Sequence, residues 1–285
     1  MSATAWLNGE YLPRDRAMVP VDDRGFVFGD GVYEVLRSTG GRLFEPERHL
    51  ERLAASLAAI RIAHERTNPA TILDVVRGLF DRNGLATSDA TAYVQVTRGV
   101  APRRHAFPDE GTPPTVFVSV AAFAPRVREC TEGVAAITHP DQRWARCDIK
   151  SVNLLANVLA NEAAHARGAY EAVLVREDGT VTEATHSSVF AVLDGELRTH
   201  PLTERVLPGV TRARVLELAR ELGLPVRESA LQLRELPSAS ELFLTGTSTD
   251  VMPIVMLDDC RIGDGRPGRM TRMLYEALMR ARSRG

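Results

Sequence analysis

The sequence predicts a mixed α/β fold built from two domains, and three observations support this prediction. β-rich runs alternate with amphipathic helical patterns along the chain. The chain has 285 residues, a length that fits one large domain or two smaller ones, and 44% of them are hydrophobic, enough to bury a core. A charged, Pro-containing stretch, APRVRECTEG, interrupts the pattern. We therefore expect a smaller N-terminal domain over residues 1–124 and a larger C-terminal domain over residues 125–285.

The predicted elements of the first domain begin with a hairpin. The segment AWLNGEYLP indicates two short strands joined by Asn8 and Gly9. From Pro46 onward, apolar residues recur at spacings of three and four, which predicts a helix with one buried face. A second helix is expected over residues 70–82, and strands are expected over residues 92–97 and 115–121.

The second domain is predicted to contain more strands and three helices. Ser151 is placed to cap a helix that runs to about residue 167 and ends at Gly168. The apolar patterns predict strands over residues 171–175, 188–193 and 241–245, and helices over residues 210–222 and 269–280. Loops between these elements are where we expect functional residues.

Composition excludes several classes of function. Thirty-five basic residues stand against 37 acidic ones, and a net charge of -2 does not suit binding to nucleic acid or to an anionic membrane. The first residues show no signal-peptide pattern, and no segment approaches the roughly 20 apolar residues of a membrane span. We expect a soluble, cytoplasmic protein. The three cysteines and seven histidines have no metal-site or disulfide spacing, so we expect no metal.

The most informative residue is Lys150. The basic residues comprise 34 arginines and this one lysine. Arginine stays protonated and is a poor nucleophile, whereas a buried lysine amine can lose its proton and attack a carbonyl. A compositional bias can leave one lysine by chance, and a solvated surface lysine is the alternative interpretation. The favoured interpretation is that Lys150 forms an imine with an aldehyde cofactor.

Other residues supply the remaining parts of a site for pyridoxal 5'-phosphate (PLP). Glu183, after a turn at Asp178-Gly179, is a candidate carboxylate for the pyridine nitrogen, although a lone strand glutamate is more often solvent-facing. Two segments expose backbone N–H groups and hydroxyls that suit a phosphate. They are Leu207-Pro208-Gly209-Val210-Thr211, which opens a helix, and Thr245-Gly246-Thr247-Ser248, which follows a strand. Gly209 and Thr211 are equally consistent with an ordinary helix cap.

Basic residues provide candidates for the charged ends of cofactor and substrate. Arg52, on the first predicted helix, is placed to add a positive charge to the phosphate, or else to cover apolar surface. Arg103 and His105 lie two apart in a Pro-rich loop, where an extended backbone turns both side chains the same way. They form a candidate clamp for a substrate carboxylate. A basic loop tip that contacts only water has the same spacing.

Six ordered segments together resemble the fold-type IV PLP enzymes, and among them the D-amino acid aminotransferases. The segments are DRGFVFGDGVYEV, TRGVAPRRHAFP, RWARCDIKSVNLL, VTEATHSSVF, LPGVTR and ELFLTGTSTD. The resemblance implies a two-domain enzyme with the cofactor at the domain interface. It also implies a homodimer, because the loop that carries Arg103 and His105 usually reaches the partner subunit's active site in that family.

The resemblance also implies a role for each candidate residue. Lys150 holds the cofactor, and Glu183 faces its pyridine nitrogen. The phosphate is surrounded by Arg52, Leu207, Gly209, Val210, Thr211, Gly246 and Thr247. The substrate carboxylate is held by Tyr33, Arg103 and His105, with Ser248 also at the substrate. The sequence departs from the family after Glu183, where Ala184, Thr185 and Ser188 replace the usual Gly, Ser and Asn.

The predicted reaction moves an amino group from a D-amino acid to a 2-oxo acid such as pyruvate or 2-oxoglutarate in a ping-pong cycle, with Lys150 as general base. Four alternatives share parts of this site. They are a branched-chain L-amino acid aminotransferase, an aminodeoxychorismate lyase, an amine transaminase and a PLP-binding protein without catalysis.

Overall fold

The computed structural model describes residues 3–284, which form two compact units. The first unit contains the described part of Met1–Ala124 together with Ile149–Asn153, and the second contains Pro125–Asp148 and Leu154–Arg284. The mixed α/β class expected from the sequence is confirmed. Within residues 3–284, every helix is too short or too polar to cross a bilayer.

The grouping of Ile149–Asn153 differs from the predicted domain limits, which assign all of residues 125–285 to the second domain. Two backbone hydrogen bonds explain the difference. Tyr33 N donates to Lys150 O at 2.9 Å, and Val152 N donates to Gly31 O at 3.1 Å. These bonds attach the segment to a strand more than 100 positions away in sequence, a pairing that no local pattern predicts.

The first unit is built on one antiparallel sheet of six strands in the order β2-β1-β6-β5-β3-β4. The strands are β1 (Thr4–Leu7), β2 (Glu10–Pro13), β3 (Gly31–Thr39), β4 (Arg42–Leu43), β5 (Ala90–Thr97) and β6 (Thr115–Ala122). The helices are α1 (Arg24–Phe28), α2 (Pro46–Ala59) and α3 (Pro69–Arg82). The sequence did not predict β3, α1 or β4.

The local chemistry of this unit follows the predicted patterns. Asn8 and Gly9 have φ values of 54° and 112°, which confirms the hairpin turn between β1 and β2. Helix α2 begins with Pro46 in its first turn and buries its apolar stripe in the core, as its periodicity predicts. Successive side chains of β3 point to opposite faces of the sheet, so Glu34 and Tyr33 lie on different faces.

The second unit has a larger sheet of ten strands. Nine of them follow the order β12-β11-β10-β14-β15-β7-β8-β9-β13, and β16 pairs with β15. The strands are β7 (Val134–Pro140), β8 (Glu171–Val175), β9 (Thr180–Ala184), β10 (Ser188–Leu193), β11 (Glu196–Thr199), β12 (Val226–Glu228), β13 (Leu231–Gln232), β14 (Glu241–Gly246), β15 (Asp250–Leu257) and β16 (Cys260–Arg261). The helices are α4 (Val127–Glu132), α5 (Leu155–Ala166), α6 (Val210–Glu221) and α7 (Arg269–Arg284).

The predicted strands over residues 171–175, 188–193 and 241–245 are confirmed, as are the helices α6 and α7. One expectation needs correction. Ser151 does not cap α5, which begins at Leu155, because Ser151 is bridged to Val32 of β3. The stretch predicted as the connection between the two domains lies at the division between the two units, and it contains the short helix α4. Gly168 has a φ of 69° just after α5, as predicted for a helix end.

Candidate active site

Lys150 lies in the extended segment Ile149–Asn153 beside β3. Its backbone N–H donates to Ser56 Oγ of α2 at 3.2 Å. Its Nζ lies 4.2 Å from the centre of the Tyr33 ring, within the range of a cation–π contact. The residue is half-buried. The structure therefore brings together two predicted site residues, Lys150 and Tyr33, on the face of the sheet opposite the α2 core.

Tyr33 continues into a short polar network on the same face. Its ring centre lies 5.8 Å from that of Tyr93, whose hydroxyl donates to Gln95 Oε1 at 2.7 Å. Burial, with the neighbouring Tyr33, raises the pKa of Tyr93 to about 12. Tyr93 is therefore neutral over the physiological range and acts as a hydrogen-bond donor.

Arg52 is held on the other face of the sheet by a buried carboxylate. Its Nε and one terminal nitrogen contact the two oxygens of Glu34 at 2.9 and 2.7 Å. His49 Nδ1 lies 3.0 Å from the same carboxylate. Burial raises the pKa of Glu34, but Arg52 and His49 outweigh this effect and hold it well below its ordinary value. Glu34 thus fixes the guanidinium of Arg52, whose contact with a phosphate stays a prediction.

Arg103 and His105 both pack against one aromatic ring. The guanidinium carbon of Arg103 lies 5.3 Å from the centre of the Phe28 ring, and the His105 ring centre lies 5.5 Å from it. Both residues are exposed. The predicted pair is therefore brought together by Phe28 at the end of α1, which leaves its polar atoms accessible to a ligand.

Glu183 lies on β9 of the second unit and is buried. Its Oε1 forms an ion pair with Arg143, and its Oε2 accepts a hydrogen bond from Leu207 N at 3.1 Å. The second contact joins Glu183 to the first predicted phosphate segment. Burial raises the pKa of Glu183, and Arg143 and the Leu207 N–H act against this effect. The effect of burial is the larger one, so the pKa of Glu183 lies above its ordinary value, and Arg143 limits the rise.

Arg143 was not predicted as a site residue. Its guanidinium also binds Asp141 through two hydrogen bonds of 2.9 Å, and Asp141 accepts a further bond from Thr182 at 2.8 Å. Arg143 opens the segment RWARCDIKSVNLL, and Asp141 stands two positions before it. That Asp-x-Arg spacing is the local signal that was available, but nothing local connects it to Glu183, 40 positions away.

The two predicted phosphate segments converge on Ser188, the first residue of β10. A Cβ added to Gly209 would lie 2.9 Å from Ser188 Oγ, so the glycine is needed for this close approach. Ser188 is paired directly with Thr245, at the start of the second segment. Gly209 precedes α6 without a side-chain cap, so it supplies no side-chain acceptor to the first N–H groups of the helix, including those of Val210 and Thr211.

The second segment forms the turn between β14 and β15. Gly246 pairs with Asp250 across this turn. A Cβ added to Gly246 would lie 3.0 Å from Thr249 Oγ1, a contact tight enough to require a shift. Thr247 is half-buried and Ser248 is exposed. Both segments therefore present small residues, backbone N–H groups and hydroxyls, the donor set that suits an anion.

The segment after Glu183, where the sequence departs from the family motif, is held by hydrogen bonds to Glu171. This fully buried carboxylate accepts hydrogen bonds from His186 N at 2.6 Å and from Ser187 Oγ at 2.8 Å, and it lies 3.1 Å from Thr185 Oγ1. Ala184 is buried in β9. Hydrogen bonds to Glu171 thus hold the connection between β9 and β10. Ser188, which follows it, lies beside Gly209 of the first phosphate segment.

Each unit gathers its own part of the predicted site. The first unit holds Tyr33, Arg52, Arg103, His105 and Lys150, and the second holds Glu183 with both phosphate segments. Within residues 3–284, His, Cys, Asp and Glu side chains form no group of three or more that is arranged to hold a metal. Chemically, the chain offers an amine, a buried carboxylate with its counter-ion, two turns whose donors suit an anion, and an exposed cationic pair.

Comparisons with known proteins all point to aminotransferases. Residues 31–257 match the family Amino-transferase class IV. The D-alanine aminotransferase of Bacillus licheniformis is 41% identical over 271 residues, covering 95% of this chain and 94% of the relative. That of Staphylococcus haemolyticus is 38% identical over 273 residues, covering 96% of this chain and 95% of the relative.

A solved structure of similar fold is the branched-chain amino acid aminotransferase of Escherichia coli. Its TM-score is 0.90 at 25% sequence identity, and the match covers 98% of this chain and 94% of the other. A second branched-chain amino acid aminotransferase, solved with pyridoxamine 5'-phosphate, also has a TM-score of 0.90 at 25% identity, covering 100% of this chain and 96% of the other.

Proposed function

This chain belongs to the class IV aminotransferases, and on that premise we propose that it is a PLP-dependent transaminase acting on D-amino acids. In each cycle an amino group passes from a D-amino acid to a 2-oxo acid such as pyruvate or 2-oxoglutarate. The observation that carries the D-amino acid proposal is the pairing of Arg103 with His105 around Phe28, in a chain about 40% identical to D-alanine aminotransferases.

The residues present fit the cofactor. When bound, PLP supplies an aldehyde that exchanges amino groups and a protonated ring that withdraws electrons from the reacting carbon. Lys150 offers the amine that would hold it. Glu183, paired with Arg143, offers the carboxylate for its ring nitrogen. The turn at Gly209-Val210-Thr211 and the turn at Gly246-Thr247, together with Arg52, offer the donors for its phosphate.

Lys150 has two chemical tasks in this proposal. Its unprotonated Nζ is the nucleophile that keeps the cofactor on the protein between cycles. With a substrate in place, the same Nζ would act as a general base that accepts the substrate α-proton and gives a proton back when the amino group passes to the 2-oxo acid. The Tyr33 ring, 4.2 Å away, limits the positions that Nζ reaches.

Arg103, His105 and Tyr33 are proposed to bind the substrate carboxylate. The guanidinium of Arg103 matches a carboxylate in shape and charge, and Phe28 orients it beside His105. Fixing the carboxylate presents the α-proton of one enantiomer to the lysine. The exposed Ser248 is proposed to contact the substrate from the second unit.

We also propose that the enzyme works in the cytoplasm as a homodimer, as the resemblance implies. Each unit carries exposed apolar residues that a second copy would cover. Met18, Val21 and Phe26 are 74–77% exposed in the first unit. Leu155, Val158 and Leu159 lie at helical spacings on α5 of the second unit and are 56–71% exposed.

The proposal is tested with single half-reactions. The purified holoenzyme is mixed with D-alanine, L-alanine or L-leucine, and loss of the cofactor's visible absorbance is followed. We expect rapid loss with D-alanine. Lys150→Arg keeps the charge but should lower turnover by at least about 100-fold, because arginine is neither nucleophile nor base. Full turnover by this variant would contradict the assignment.

Because the chain contains a single lysine, the attachment of the cofactor to Lys150 is tested directly. Borohydride reduction of the holoenzyme should leave the cofactor mass bound to a peptide that contains Lys150, because the chain has one lysine side chain. A label on the N-terminal amine alone would contradict the proposal.

A branched-chain L-amino acid aminotransferase is the second candidate. The similarity in fold to the Escherichia coli enzyme, at a TM-score of 0.90, favours it. Such an enzyme shares the cofactor site but is not expected to depend on Arg103 and His105. A faster half-reaction with L-leucine than with D-alanine, unaffected by Arg103→Ala, would establish this candidate in place of the first.

A further inference from the structure

The loop that carries Arg103 and His105 has no regular secondary structure, and both side chains are exposed. A carboxylate clamp needs its groups held within a fraction of an ångström, since ordering a free loop on binding lowers affinity. The structure shows what holds this loop. The residues responsible lie in α1, in the turn after it and at the end of β5.

Arg24, the first residue of α1, fixes the loop backbone around His105. One of its terminal nitrogens donates to Arg104 O at 2.6 Å and to Ala106 O at 3.3 Å, the carbonyls on either side of His105. Arg24 is buried, with a relative exposure of 4%. Its guanidinium carbon also lies 4.8 Å from the centre of the Phe28 ring, against which Arg103 and His105 pack.

Asp30 orients Arg24. Its Oδ2 accepts a hydrogen bond from Arg24 Nε at 2.8 Å, which leaves the outer edge of the guanidinium directed at the loop. The same carboxylate binds Arg98 through Nε at 2.8 Å and through a terminal nitrogen at 2.9 Å. Burial raises the pKa of Asp30, but the hydrogen bonds from Arg98 and Arg24 outweigh it, so the pKa lies below its ordinary value.

Arg98 holds the far end of the loop. Its guanidinium carbon lies 3.7 Å from the centre of the Phe107 ring, and Arg61 lies 4.8 Å from the same ring. Arg98 also donates to Ile60 O at 2.7 Å, which ties it to the end of α2. One carboxylate therefore connects Arg24, which holds the backbone around His105, with Arg98, which packs on Phe107.

We propose that Arg24, oriented by Asp30, is a positioning residue that sets the affinity of the Arg103–His105 pair for the substrate carboxylate. This inference rests on the proposed function, in which that pair binds the carboxylate. Arg24 acts through the loop backbone and is assigned no direct contact with the reacting atoms.

The test compares Arg24→Met with the parent holoenzyme. Methionine keeps the buried stem but removes three hydrogen bonds from a charged donor, two to the loop backbone and one to Asp30. We expect the KM for D-alanine to rise about tenfold or more, and kcat to change less than about twofold. Amide hydrogen exchange over residues 101–107 should be faster than in the parent. Arg24→Lys, which keeps the charge without the planar fork, should show the same split and provides a second variant if Arg24→Met does not fold.

Arg37→Met is the matched control. Arg37 is another buried arginine of the first unit, and its guanidinium lies over the Phe123 ring at 4.1 Å. Its loss should lower stability without accelerating exchange in the loop or raising the KM. If Arg37→Met reproduces both effects, or if Arg24→Met and Arg24→Lys leave both unchanged, the positioning role is overturned.

Arg103→Ala separates this inference from the proposed function. If Arg103→Ala raises the KM and the Arg24 variants do not, the clamp stands and the inference fails. If Arg103→Ala leaves the KM unchanged, the clamp itself fails, and the positioning role with it. If the clamp and the positioning role are both correct, the double variant Arg24→Met/Arg103→Ala should raise the KM by less than the product of the two single effects, because both changes disable the same carboxylate clamp.

Discussion

Glu183 shows how one residue's environment determines its charge. The side chain is buried on β9, and burial alone favours the neutral acid. The ion pair with Arg143 acts against burial without cancelling it, so the pKa of Glu183 stays above its ordinary value, and Asp141 in turn holds Arg143 with two further hydrogen bonds. Arg143 is therefore the counter-ion of Glu183, a function that its exposed sequence neighbours do not indicate. A carboxylate opposite a ring nitrogen serves the proposed chemistry only while it remains ionised.

This dependence predicts a pH-sensitive loss of stability in Arg143→Met. Glu183 has a folded-state pKa above its unfolded value, so its stabilising contribution is present at low pH and is lost as pH rises through the folded-state pKa. Removing the guanidinium enlarges that loss. We expect the free energy of unfolding of the apoprotein to fall by about 3–5 kcal/mol at pH 8 and by less at pH 5, as measured by urea unfolding.

The double variant Arg143→Met/Glu183→Gln is the control. It removes the ionisable group and should lose most of the extra pH dependence, while Asp141 accounts for what remains. If the stability of Arg143→Met relative to the parent does not change between pH 5 and pH 8, Glu183 is not held ionised by Arg143.

At the scale of elements, the C-terminal helix α7 is connected to the turn between β14 and β15. Arg282 is buried on α7, and its Nε lies 3.0 Å from Asp250 Oδ1. One of its terminal nitrogens donates to Thr247 O at 3.3 Å. Asp250 itself has a φ of 59°, an uncommon conformation for a residue other than glycine. The helix therefore helps to hold the turn proposed to bind the cofactor phosphate.

We predict that Arg282→Met weakens cofactor binding. Losing a charged hydrogen bond to the turn should raise the dissociation constant of the apoprotein for PLP by about tenfold, measured by fluorescence titration. Arg280→Met is the matched control on the same helix, because Arg280 is 57% exposed and paired only loosely with Glu276 at 3.7 Å. Equal weakening by both variants would show that the effect comes from the helix as a whole.

The elements that the sequence predicts are those whose signal is local. The hairpin at Asn8-Gly9, the helix with its apolar stripe from Pro46 and the strand over residues 188–193 all depend on turn chemistry or periodicity within a few residues. Lys150 and Glu183 could be proposed because their chemistry is scarce or specific. Their candidate roles follow from the chemistry of an amine and a carboxylate, and the resemblance implies the same roles.

The features that escaped prediction depend on long-range pairing. Ser151 has the chemistry of a helix cap, but its bridge to Val32 moves the start of α5 to Leu155. Arg143 and Arg24 have ordinary sequence surroundings, and the partners that define them lie 40 and about 80 positions away. Charge pairs of this kind leave no periodic signal in a single sequence.

At the scale of the whole molecule, the proposed dimer assigns parts of one site to two chains. Lys150 of one protomer would work with the Arg103 and His105 loop of its partner, as the resemblance implies. The loop is held from its own protomer by Arg24 and Arg98, and Arg103 and His105 are exposed. Such an arrangement is compatible with a two-fold dimer, in which each protomer supplies its loop to the partner's site and receives the partner's loop in its own.

Mixing two impaired variants tests this assignment. Lys150→Arg removes the amine, and Arg103→Ala/His105→Ala removes the clamp, so each homodimer is expected to have low activity with dilute D-alanine. When the two are unfolded and refolded together in equal amounts, about half of the dimers are hybrids, and each hybrid has one site with an intact lysine and an intact loop. We expect recovery of about a quarter of the parent activity under these conditions.

If each loop instead serves the lysine of its own chain, every site in the hybrid lacks one part, and mixing restores no activity. Sedimentation of the same samples establishes that both variants form dimers, so that absence of recovery reports on the loop rather than on assembly.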